Sequence, residues 1–90
     1  MSVISYDMDS NITIEIDENP DDLHREGPHC HVKKRNRGRV AQVFLNPSAR
    51  FSRTPNSDDL SYSEQNEVLK YCDRMRSTLL SDCERILNRR

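Results

Sequence analysis

From Ser61 onward the chain carries Val68, Cys72, Met75, Leu79, Cys83 and Ile86 at spacings of three or four residues, the period that brings side chains onto one face of a helix. Leu69, Leu80 and Leu87 widen that stripe. In front of it Ser61-Tyr62-Ser63-Glu64 is a capping box, in which the serine hydroxyl and the glutamate carboxylate satisfy each other's backbone N–H. Glu64 and Glu67 at the start, with Arg89 and Arg90 at the end, complement the helix dipole. The spacing predicts one helix over about 61–88. At about 1.5 Å per residue it is ~40 Å long. A helix with one apolar stripe must bury it against a second layer, so the preceding residues have to supply that layer.

They read as strands. Ile12-Thr13-Ile14-Glu15-Ile16-Asp17 alternates strictly, and Val3-Ile4-Ser5-Tyr6 precedes it across the turn residues Asp9-Ser10-Asn11. Two further strands run from His29 to Lys34 and from Arg39 to Leu45, joined through Arg35-Asn36-Arg37-Gly38, where Gly38 supplies a positive φ. The expected strands are 3–8, 11–17, 29–34 and 39–45, with loops at 18–28 and 46–60. The fold class is α+β: a small antiparallel sheet of about four strands packed against one long C-terminal helix, in a single domain over 1–90. The helix is longer than such a sheet can cover. Seven Leu, five Ile, five Val and two Phe make only 19 strong core formers in 90 residues. A chain this short buries about 60–65% of its unfolded surface, so a ligand, a partner protein or a second copy is expected to add stability.

The formal net charge of −1 conceals a segregated chain. Residues 1–32 carry eight acids against the single base Arg25. Residues 33–57 carry seven bases and no acid, and 58–90 are nearly balanced. Such a layout either offers a basic surface to phosphates or neutralises itself when the acidic strands lie beside the basic segment.

Gly27-Pro28-His29-Cys30-His31-Val32 is the sharpest motif. On a strand, His29 and His31 project from one face and Cys30 from the other. Paired imidazoles can ligate a divalent metal, act as acid and base, bind an anion when protonated, or simply pack as hydrogen-bonded residues. Each of the three functional roles needs a third group, for which His24, Asp21, Asp22 and Glu26 are the candidates. His29 and His31 are therefore the candidate catalytic residues, and His29, His31 and His24 the candidate metal ligands; no cofactor is otherwise required. The basic run follows at once, with Lys33, Lys34, Arg35, Arg37 and Arg39 as candidate phosphate contacts on the hairpin. Only Phe44 and Phe51 lie nearby, which argues against stacking on single-stranded bases.

Cys72 and Cys83 lie three turns apart on the helical stripe and read, with Cys30, as reduced core thiols. No nucleophile elbow, P-loop, C-x-x-C pair or dinucleotide fingerprint is present. Neither a membrane-length apolar run nor a signal-peptide pattern occurs, so a cytoplasmic protein that does not engage a membrane is expected.

The segment Gly27–Val32 resembles the Pro-Pro-His-x-His-Val signature of a family of short bacterial proteins of unknown function, with Gly27 in place of the first proline. Val43-Phe44-Leu45-Asn46-Pro47 is similar to that family's hydrophobic strand ending in proline. Leu79-Leu80-Ser81-Asp82-Cys83 resembles its Leu-Leu-x-x-Trp segment, with Cys83 for the tryptophan. The resemblance spans most of the chain from Ile12 on and implies two strands before the motif, with a strand and a long helix after it. It further implies a bacterial or phage-related setting beside toxin–antitoxin genes. The expected function is binding of a phosphate-rich partner, a nucleic acid, through the basic hairpin. The alternatives are a metal-independent endoribonuclease using the histidine pair, and a protein-interaction module that docks on an acidic protein surface.

Overall fold

Alternation and turn chemistry fold the N-terminal half into a sheet. The computed structural model describes residues 3–88. In it β1 (Val3–Asp7) pairs with β2 (Ile12–Asp17), β3 (His29–Lys34) with β4 (Gly38–Phe44), and a two-residue β5 (Arg50–Phe51) closes the edge. All neighbours are antiparallel, in the order β1-β2-β3-β4-β5. Three helices complete the chain: α1 (Pro20–Glu26), α2 (Tyr62–Arg74) and α3 (Arg76–Leu87).

The α+β class stands, with three corrections to its details. The sheet has five strands where about four were expected, because Arg50–Phe51 in the supposed loop 46–60 pairs with Val43 and Phe44. The supposed loop 18–28 contains α1. Asn19 caps it by accepting the Asp21 N–H at 3.0 Å, Pro20 occupies the first turn, and Gly27 ends it by donating to the Leu23 carbonyl. Seven residues with one buried apolar side chain, Leu23, carry no period to detect. The expected helix over 61–88 is two helices, meeting at Met75, whose ψ of 4° leaves the helical region. That break answers the length problem: each half spans about 20 Å at helical rise, close to what strands of five to seven residues cover. Met1, Ser2, Arg89 and Arg90 lie outside the described residues, and with them the leader reading at the N-terminus and the terminal basic pair.

The core lies between the sheet and α2–α3. Ile12, Ile14, Ile16, Cys30, Val32 and Val43 meet Val68, Cys72, Leu79, Cys83 and Ile86, none more than 1% exposed. Leu23, Leu45 and Leu60 fill the ends. Met75, Leu69, Leu80 and Leu87 pack around it half-buried, so the stripe read from the sequence is the buried face.

The opposite face of the sheet is polar. The register sets Ser5, Glu15, His31 and Gln42 in one row across β1 to β4, and Asp7, Thr13, Lys33 and Arg39 in the next. A bulge at Val32/Lys33 makes Arg39, rather than Val40, the partner of Lys33. One extra residue in β4 thus turns Arg39 onto this face, because side chains alternate with period two. At the hairpin tip Gly38 has the anticipated positive φ of 77°, and Asn36, at 68°, has one too.

Candidate functional site

The site grows from the turn between α1 and β3. Gly27 sits at φ 80° and ψ 178°, a conformation essentially reserved for glycine, and it swings the chain from the helix into the strand. Proline, the residue of the resembling signature at this position, is locked near φ −65° and could not make this turn. From there β3 places both imidazoles on the polar face, with ring centroids 5.0 Å apart and planes perpendicular. The expectation of a shared face therefore holds in the geometry. Cys30, between them, points into the core with its Sγ 3.9 Å from that of Cys72.

α1 lies over the start of β3 and supplies the third group. Of the four candidates it is Asp22: its Oδ2 is 2.9 Å from His29 Nε2 and 3.7 Å from His31 Nε2. Leu23, the next residue, enters the core, so the helical turn that buries Leu23 also aims Asp22 at the imidazoles. His24 and Asp21 are exposed and outside this cluster, and Glu26 instead accepts from the Gln42 amide at 3.2 Å. Arg25 lies 3.9 Å from Asp22.

His29 is sealed, 2% exposed, with Nδ1 2.8 Å from the Gly27 carbonyl. His31 is half-buried, and its Nε2 has no hydrogen-bond partner. Burial lowers the His31 pKa below the ordinary imidazole value; the Arg39 guanidinium and the His29 ring push the same way, against Asp22. At 3.7 Å the His31 Nε2 is too far from Asp22 for a hydrogen bond.

The basic run divides in two. Lys34 alternates to the helical side, where its ammonium donates to the Asp59 carbonyl at 2.8 Å and to Glu64 at 3.0 Å. Arg37 pairs with Asp59 at 2.7 Å. Arg39 reaches from β4 across β3 to Glu15 at 3.4 Å and Asp17 at 3.5 Å on β2, which carries its guanidinium over the strand that bears His31. Self-neutralisation therefore accounts for three of the five candidate phosphate contacts. Lys33 and Arg35 remain exposed without an acidic partner among the described residues. They border a surface cleft of about 340 Å³ with Ser10, Asn11 and Thr13. The acids at that cleft are engaged, Asp7 by the Thr13 hydroxyl and Glu15 by Arg39. Arg50, over the Phe44 ring at 4.9 Å to its centroid, adds an exposed cation at the other end of the sheet.

Sequence reasoning singled out the histidines but could not choose among the loop acids. The Asn19-Pro20-Asp21-Asp22 start of α1, a helix N-terminus in miniature, was the signal that could have chosen Asp22. Asp82 was not anticipated at all. It is buried on α3, 2% exposed, where it accepts from the Tyr6 hydroxyl and pairs with Arg85, tying β1 to the helical layer. No described helix is long and apolar enough to cross a membrane. No family model matches the chain, and no curated protein or solved structure is significantly similar to it.

Proposed function

We propose that the polar face of the β3–β4 hairpin binds the phosphate backbone of a nucleic acid. The observation that carries this reading is that Lys33 and Arg35, unlike Lys34, Arg37 and Arg39, keep their charge uncommitted beside a cleft on the face that holds His31. Cations already paired to carboxylates would have to exchange one anion for another, with little gain. Free cations release condensed counterions from the nucleic acid and gain from it directly. The resemblance carried by Gly27–Val32 supports a bacterial or phage-related cytoplasmic setting near toxin–antitoxin genes. The endoribonuclease alternative needs two imidazoles at the substrate. Only His31 reaches the surface, so the geometry favours binding over cleavage by a histidine pair.

Fluorescence anisotropy with a labelled RNA duplex across a salt series tests the proposal. Reversing Lys33 and Arg35 together to Glu should weaken binding and flatten the salt dependence by roughly one unit of slope per lost contact. Replacing Arg37 by Ala should leave the slope almost unchanged. An unaltered slope in the Lys33/Arg35 variant would remove the hairpin from the interface, and affinity indifferent to salt would favour a protein-docking module.

A further inference from the structure

Three side chains at the junction of α1 and β3 bring potential ligand atoms together. One ligand atom each from Asp22, His29 and His31 lies within 4.8 Å of the others. A carbonyl oxygen only accepts, so the 2.8 Å contact with Gly27 places the hydrogen of His29 on Nδ1. In the neutral ring Nε2 is then a bare lone pair, and it faces the Asp22 carboxylate oxygen at 2.9 Å. His31 Nε2, buried and without a hydrogen-bond partner, stands 3.7 Å from the same oxygen. The His29 lone pair and the carboxylate oxygen repel at this distance unless a positive charge lies between them. That charge is either a proton held by His29 or a metal ion held by all three.

We infer that Asp22, His29 and His31 form a binding site for a single divalent transition-metal ion of the zinc type. Ligand identity and spacing agree. Two imidazole nitrogens and one carboxylate oxygen suit a borderline first-row ion over calcium or magnesium, which prefer oxygen alone. Donors about 2.0–2.1 Å from a tetrahedral ion stand ~3.3 Å apart, and the separations of 2.9 and 3.7 Å bracket that value. The Gly27 carbonyl on His29 Nδ1 is the outer-shell hydrogen bond that fixes the metal-binding tautomer. Of the two neighbouring guanidinium groups, Arg39 is held on Glu15 and Asp17, and Arg25 approaches only the Oδ1 of Asp22, at 3.9 Å, leaving Oδ2 to the imidazoles.

The exposure of the three ligands is graded. The His29 side chain is 1% exposed, that of His31 15% and that of Asp22 24%. An ion among them is closed on the protein side and open on the outer face. Three protein ligands with a fourth position open to solvent are the layout of a metal that binds or activates an exogenous group, and differ from the four-ligand layout of a structural zinc. This inference does not depend on nucleic-acid binding at Lys33 and Arg35, and either can fail alone.

The test uses the full-length chain, stripped with a chelator and then titrated with Zn²⁺ by calorimetry and Co²⁺ by visible absorption. The expected result is one ion per chain, a Tm that rises with metal concentration, and a Co²⁺ spectrum of low-coordinate nitrogen and oxygen ligation. His31→Ala and Asp22→Asn, at partly exposed positions, should stay folded and lose more than roughly 100-fold in affinity, beyond the ~10–100-fold cost of losing an outer-shell partner. His24→Ala should bind as the unaltered chain does. Binding that survives both ligand variants, or that disappears with His24, overturns the assignment. A sulfur-to-cobalt charge-transfer band would do so too, by moving the metal to the thiols. An absence of stoichiometric binding leaves the cluster as a His29–Asp22 contact without metal and likewise ends it.

Discussion

Leu79 shows how much one residue of the stripe carries. Its side chain is fully buried on α3 against the sheet. Replacing it by Ala should cost about 2–5 kcal/mol, the transfer term plus the cavity left behind. Globular domains are stable by only roughly 0.05–0.15 kcal/mol per residue, so the loss is a large share of what holds a chain of 90 residues together. Urea unfolding measures it. A change below about 0.5 kcal/mol, the ordinary surface level, would mean that the stripe does not face the sheet. The polar residues of the site obey the same accounting with another currency of contact. His29 tolerates nearly complete burial because Nδ1 donates to the Gly27 carbonyl and Nε2 lies within the polar cluster it forms with Asp22 and His31. Lys33 and Lys34 adjoin in sequence, yet alternation sends one to the polar face and the other to Glu64, so neighbouring lysines of one basic run have unrelated roles.

At the scale of elements, α2 is held at its start by a closed loop of contacts. The Ser61 hydroxyl accepts the Glu64 N–H at 3.2 Å, the Glu64 carboxylate accepts the Ser61 N–H at 2.9 Å, and Lys34 from β3 joins the same carboxylate. Ser61→Ala should cost about 1 kcal/mol. The Ser61 backbone N–H, and then Lys34, hold the Glu64 carboxyl below the usual carboxylate range. A carboxyl that is more acidic folded than unfolded stabilises the fold fully above its unfolded value, about 4.3, and that stabilisation is lost as the pH falls through its folded value. The stability difference between the unaltered chain and Glu64→Gln should therefore be constant near neutrality and shrink on acidification below about pH 4. Denaturant midpoints across a pH series measure it, and a difference that persists at the acid end would show that the cap does not depend on the ionised carboxylate. α1 is the opposite case, an element with little core of its own that is held by its two caps and Leu23.

For the whole molecule, the three cysteines report on how the layers stay closed. Cys30 on β3, Cys72 on α2 and Cys83 on α3 converge between sheet and helices, each 0% exposed. The Cys30 thiol is pushed well above its ordinary pKa by its contact with Cys72 and by burial, and burial raises that of Cys83. Because all three are buried, each should resist a thiol reagent in the native state. They should react together at a rate that climbs with urea in step with unfolding. A thiol that reacts rapidly without denaturant would reveal that one layer opens by itself. Among the described residues only Val3 and Tyr62 are exposed large hydrophobics, which leaves little apolar surface for an interface between copies. The asymmetry of the molecule is electrostatic: the acidic N-terminal strand β2 and the segment around Asp59 draw in most of the basic hairpin, and what remains positive is on the polar face.

Local chemistry determined much of this protein. The alternation of Ile12, Ile14 and Ile16, the capping box at Ser61, the 3,4 stripe through Ile86 and the glycine at the hairpin tip each act within a few residues, where steric and hydrogen-bond preferences are decided. For the same reason the shared face of His29 and His31 was legible, since alternation on a strand needs no tertiary information. Tertiary structure decided the rest. The break at Met75 arises where a long helix must follow a short sheet, and the bulge that turns Arg39 outward depends on how β4 registers against β3. The choice of Asp22 among four nearby groups followed from burying Leu23, and the fate of each basic residue followed from which acid the fold brought within reach. Pairing between charges distant in sequence is set by packing of the apolar layer beneath them, and no run of charges records that packing on its own.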